Sequence, residues 1–170
     1  MKLYSPFQFP AMDGLVKNLK IEMYDDDPTA KIPSGCENGW THHSLGRTCY
    51  RFFSSKVTWD EARRYCQNLK AELASVTSFK TNEFLTTLTQ EECWIGGYKN
   101  GSTWQWTDGS ESIWWKYRNW ASGQPDNIGG NQDKLQFNFK EPGKWGDEES
   151  HKQQPFICQK HLGILELLWN

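Results

Sequence analysis

Five cysteines, at positions 36, 49, 66, 93 and 158, constrain this chain more than any other feature. No two of them stand close enough for a zinc knuckle and the four histidines are scattered, so the set fits no metal pattern. A disulfide framework is the better reading, and it points to an oxidising compartment. The opening MKLYSPFQFPAMDG has a lysine but lacks the apolar stretch of about seven or more residues that a secretory leader carries. That leaves a signal peptide already removed, a fragment, or a variant form.

A length of 170 residues suits one domain with appendages. The formal net charge is -2 with a pI near 6.1, and no Lys/Arg run exceeds Arg63-Arg64, so nucleic acid is not an expected partner. No apolar run reaches the ~18 residues of a membrane span. Seven of the ten tryptophans fall between Trp94 and Trp145, which requires the middle of the chain to be ordered around large aromatic anchors.

Residues 1–35 read as a flexible lead-in, with Pro6, Pro10 and Pro28, an acidic Asp25-Asp26-Asp27, and a Pro33-Ser34-Gly35 break. The acidic triplet is not an EF-hand, because Ala30 stands where the sharp turn needs glycine. Leu15 to Met23 suits a short helix or a strand. Further on, Thr58 and Glu61 form a capping box, and Trp59, Ala62, Cys66 and Leu69 follow at helical spacing. Ser78 caps a second helix with an apolar stripe of Phe84, Leu85 and Leu88, ending before Glu91-Glu92.

Strands then take over. Trp94-Ile95-Gly96-Gly97 carries glycines that permit close backbone approach, Thr103 to Thr107 alternates, Leu135, Phe137 and Phe139 alternate strictly, and Pro155 to Cys158 makes the last strand. Two early helices followed by strands and a long polar loop from Asp108 to Asp133 predict an α+β domain with a loop-borne site.

The order of motifs is specific. Gly39-Trp40, Cys49-Tyr50, the Trp59 helix with Cys66, Leu73-Ala74-Ser75-Val76, WIGG at 94–97, WQWTDG at 104–109, Asn119-Trp120, Gln124-Pro125-Asp126-Asn127, Trp145-x-Asp147 and Phe156-Ile157-Cys158 occur in sequence with suitable gaps. Across residues 36–160 the chain resembles the C-type lectin family. In detail it is most similar to the small secreted fish lectins, a group that also includes type II antifreeze proteins.

The resemblance implies a C-type lectin-like fold, two helices on small antiparallel sheets with a long binding loop. It implies the bridges Cys36–Cys49 and Cys66–Cys158. The family's inner bridge would join Lys134 and Ser150, so both partners are missing together and the loop loses that tether. Cys93 has no family partner: it is either a small buried hydrophobe beside Trp94 or the link of a covalent homodimer.

The family binds sugars through calcium, an ion that takes six to eight oxygens at ~2.3 to 2.6 Å and can accept two from neighbouring sugar hydroxyls. The resemblance implies a cis Pro125 that turns Gln124 and Asp126 to one side. A Gln-Pro-Asp order is associated with galactose-type sugars, because exchanging amide and carboxylate reverses the donors and acceptors met by the two hydroxyls. The implied calcium and carbohydrate ligands are Gln124, Asp126, Gln132 and Asp147.

Two departures weaken the set. Gln132 replaces a glutamate, and Gly146 replaces the asparagine of a Trp-Asn-Asp triplet. An auxiliary calcium site would use Asn127 and Asp133. The tryptophan on which galactose binders stack the sugar is absent from Asn127-Ile128-Gly129-Gly130, and Trp114, Trp115 or Trp120 are the substitutes to weigh against core packing.

Asn100-Gly101-Ser102 is a glycosylation sequon, and the apolar Leu162–Trp169, within the 161–170 tail, is too short to cross a bilayer. The expectation is therefore an extracellular, galactose-type lectin with a weakened calcium site. The competing expectation is a calcium-independent module that binds protein, lipid or ice. No G-x-S-x-G, H-E-x-x-H, P-loop or Rossmann glycine pattern occurs, so an enzyme is not expected.

Overall fold

The computed structural model describes residues 35–44, 47–110 and 117–162. The acidic triplet, the segment Leu15–Met23, Trp114, Trp115 and the tail from residue 163 lie outside the described residues. Chain order is β1 (Thr41–His43), β2 (Thr48–Val57), α1 (Trp59–Asn68), β3 (Glu72–Leu73), α2 (Phe79–Leu88), β4 (Cys93–Asn100), β5 (Thr103–Trp106), a short 3-10 turn (Ile128–Gly130), β6 (Gln132–Phe137), β7 (Trp145–Glu149) and β8 (Gln154–His161). The α+β class and the two early helices stand as read.

Both helices start where their caps predict. The Thr58 side chain accepts from the Glu61 N–H while the Glu61 carboxylate accepts from the Thr58 N–H at 3.0 Å, a complete capping box. Trp59, Ala62 and Cys66 form the buried face of α1. Cys66 is bonded to Cys158 of β8, 92 residues away, and Cys36 to Cys49 of β2. Ser78 caps α2 by accepting from the Thr81 N–H at 3.1 Å.

The sheet runs β1-β2-β8-β4-β6-β7, with β3 beside β8 and β5 beside β4. Every pairing among these strands is antiparallel except β4 with β8, which run parallel at Trp94 and Phe156. The glycines of β4 are required by close approach: a Cβ on Gly96 would lie 2.8 Å from the Leu73 carbonyl, and one on Gly97 would lie 2.6 Å from the Leu135 Cβ. One core cluster gathers Trp104, Trp106, Leu135, Phe137, Trp145 and Ile157, and another gathers Trp59, Trp94 and Phe156.

The strict alternation through Phe139 overshoots. Asn138 adopts a left-handed φ of 60° and ends β6. Its side chain donates to the carbonyls of Thr89 and Glu91 and accepts from the Gly143 N–H. A residue with a short polar side chain tolerates that turn and satisfies it locally. Phe139 therefore leaves the ladder and lies across Gly146 of β7.

Candidate functional site

The segment between β5 and β6 is fastened to β7 before it reaches the candidate residues. Trp120 forms a parallel bridge with Trp145, the Ala121 N–H donates to the Trp145 carbonyl at 2.8 Å, and the Trp145 N–H donates to Asn119 at 3.0 Å. Trp145 is itself held by its indole N–H on the buried Asn82 of α2, at 2.9 Å. Trp120 packs edge-on against Trp104 and Trp145, so it is used in packing and not as an open platform.

From this anchor the chain delivers Gln124, a cis peptide bond, Pro125 and Asp126. The Gln124 side-chain amide donates to the Asp126 carboxylate at 2.7 Å, so amide and carboxylate lie side by side. Asp147, 2 % exposed on β7, is the hub beneath them. Its Oδ1 accepts from the Asp126 N–H at 3.0 Å and its Oδ2 from the Asn127 N–H at 2.9 Å. The Gln124 side-chain Oε1 accepts in turn from the Asp147 N–H at 3.2 Å. A buried carboxylate taking two backbone N–H groups is a charge-assisted arrangement and fixes the loop's path.

Gln132 joins through Asn127, whose side-chain oxygen accepts the Gln132 N–H at 3.0 Å. The Gln132 Oε1 is buried and has no hydrogen-bond donor. All four residues read as ligands thus belong to one connected network. Of the auxiliary pair, Asn127 is engaged with Gln132, while Asp133 pairs with Lys134 at 2.7 Å.

The departures from the family pattern have visible causes. Where Gly146 stands, a Cβ would be 2.6 Å from the Phe139 ring, so that ring occupies the space an asparagine side chain needs. Nothing in the spacing of the sequence announced this contact, since Phe139 read as a strand residue. At the lost inner bridge, Lys134 places its ammonium 4.9 Å from the centre of the Trp59 ring, and the Ser150 carbonyl accepts the Trp59 N–H at 3.1 Å. Non-covalent ties to α1 thus hold both positions where cysteines would have been joined.

In the 127–130 turn, where galactose binders of the family carry a tryptophan, Ile128 is 70 % exposed. Among the described residues no cluster of three or more His, Cys, Asp or Glu side chains gathers to hold a metal. The residues that could offer oxygens to calcium are Asp126 and Asp147 through their carboxylates and Gln124 and Gln132 through their amides, and the Asp126, Asp147 and Gln124 oxygens are engaged in hydrogen bonds within the site. Cys93 is fully buried and unpaired, consistent with its reading as a small hydrophobe beside Trp94, and a bond to a second copy would need the core to open.

The helix pair, the looped sheet and the cis Gln124–Pro125 rim define a C-type lectin-like domain. Residues 55–160 match the Lectin C-type domain, and the chain belongs to that family. It is 37% identical over 140 residues to a lectin of Pleurodeles waltl, covering 76% of this chain and 78% of that protein. It is 32% identical over 143 residues to the galactose-specific lectin nattectin of Thalassophryne nattereri, covering 79% and 86%. Among solved structures, a calcium-independent type II antifreeze protein superposes with a TM-score of 0.67 at 29% identity, covering 74% of this chain and 94% of that one. The lectin and antifreeze resemblances read from the motifs are both present.

Proposed function

We propose that the rim formed by Gln124, Asp126, Gln132 and Asp147 binds galactose-type sugars outside the cell, with a weakly held calcium ion. The observation that carries this reading is the amide of Gln124 set against the carboxylate of Asp126 at 2.7 Å, on either side of Pro125. Two neighbouring sugar hydroxyls would meet an amide on one flank and a carboxylate on the other, in the order suited to galactose. The galactose-specific character named for nattectin supports the same preference. The two disulfides suit an extracellular location.

Calcium, when bound, supplies direct coordination of the sugar hydroxyls. The chain's own part is to present oxygens and to open the Gln124–Asp126 hydrogen bond so that both side chains turn outward. With two negative charges and a ligand set that must rearrange, the affinity falls near that of weak extracellular sites, ~10⁻⁴ to 10⁻³ M. Retention on galactose-agarose in millimolar calcium, with elution by a chelator, is the expected result. A protein that passes unretained would sink the reading.

A second reading is a calcium-independent module that binds protein, lipid or ice through the same surface. It is favoured by one fact: all four carboxylate oxygens of Asp126 and Asp147 already accept hydrogen bonds within the loop. Such a loop needs no ion to keep its shape. A melting temperature that stays constant through a millimolar calcium titration would select this second reading, since a ligand that binds only the folded state must raise it.

A further inference from the structure

We propose that Asn100 carries an N-linked glycan. Asn100-Gly101-Ser102 is the one N-x-S/T sequence in the chain. Asn100 is the last residue of β4 and pairs with Thr103 of β5 across a two-residue turn, at the tip of a hairpin. All four residues from Asn100 to Thr103 are exposed. The Gly101 φ of 59° makes the turn, and no atom lies within 4 Å of where its Cβ would be, so the space around the tip is open.

The acceptor nitrogen is only loosely committed. It donates at 3.4 Å to the Gln105 side-chain oxygen, which already receives the Tyr98 hydroxyl at 3.0 Å. Losing one amide hydrogen there leaves no buried group without a partner. The same contacts orient the side chain: Tyr98, Asn100 and Gln105 share one face of the hairpin. Lys99, the alternate residue, and Gly101 at the turn help line a cleft of about 430 Å³ with Asn127, Gln132, Asp133 and Ser150. Strand alternation therefore starts the glycan on the face opposite Lys99, at the edge of the cleft that Gln132 shares with the proposed sugar rim.

The step transfers an oligosaccharide from a polyprenyl diphosphate donor. The bond from sugar C1 to the diphosphate oxygen breaks, a bond from C1 to the Asn100 Nδ2 forms, that nitrogen loses a proton, and the lipid diphosphate leaves. The inference rests on the extracellular location proposed above, but not on sugar binding.

The test uses the full chain expressed behind a cleavable secretory leader in a eukaryotic cell, then treated in its native state with peptide N-glycosidase. Faster migration is expected, with conversion of Asn100 to aspartate seen by peptide mass spectrometry. The shift should vanish in Asn100→Gln and Ser102→Ala and persist in Ser102→Thr. Retention on galactose-agarose should be the same before and after treatment. A secreted wild-type chain whose migration is unchanged overturns the modification, and a change in retention overturns its placement on the face opposite Lys99. Should the chain ignore galactose-agarose altogether, the sugar reading fails while the migration shift still decides this one.

Discussion

Gly146 shows how one packing contact can reshape a candidate site. Its missing side chain takes one oxygen from the proposed site, and the Phe139 ring fills the space that side chain would need. Putting back the family's residue should therefore fail. Gly146→Asn is expected to destabilise the domain by ~1 to 3 kcal/mol through overpacking and to leave calcium affinity no better. Urea unfolding together with a calcium titration checks this, and a tighter ion without loss of stability would contradict it.

Cys93 belongs to the same scale. Burial first, and then Glu91 and Glu92, push its thiol well above the ordinary range. The unfolded thiol ionises near ~8.5 while the folded one stays protonated, so the group's contribution is intact below that pH and is lost as pH rises. From about pH 8.5 to about pH 10, before unfolded tyrosines ionise, it should lower the unfolding free energy by up to ~1.4 kcal/mol per pH unit. Cys93→Ala should show a correspondingly flatter dependence. Equal slopes in the two proteins would refute the assignment.

Elements were legible where their signals are local. The capping box at Thr58 and the cap at Ser78 marked both helix starts, and the paired glycines of β4 marked a close approach. Replacing Thr58 with alanine removes one side of the box and should cost ~1 kcal/mol in thermal or urea unfolding. A variant as stable as wild type would mean that the Glu61 side of the box and the Trp59 N–H bond to Ser150 suffice to hold the helix start.

Less legible were contacts set by chain reversals. The departure of Phe139 from β6 depends on Asn138 in a left-handed turn, which satisfies carbonyls nearly fifty residues earlier in the chain. The use of Lys134 is similar: one residue type read only as a lost cysteine proves to lie over Trp59 and to pair with Asp133. Both depend on residues far apart in sequence meeting in space, and no local period records that. The four candidate positions were read by resemblance from short motifs, and the structure joins them in one hydrogen-bonded network, but the role of Asp147 as the loop's hydrogen-bond hub was not legible.

At the scale of the whole molecule, two disulfides and a sheet that brings β7 under the 119–132 segment hold a small set of oxygens at one rim. The central claim is that Gln124 and Asp126 set a galactose-type order of amide and carboxylate. Calorimetric titration with galactose and with mannose in millimolar calcium tests it most directly, on the wild type and on the exchange variant Gln124→Glu/Asp126→Asn. The wild type should bind galactose in preference to mannose, and the variant should reverse that preference. A wild type that gives no heat with galactose, or a variant that still prefers it, would contradict the account.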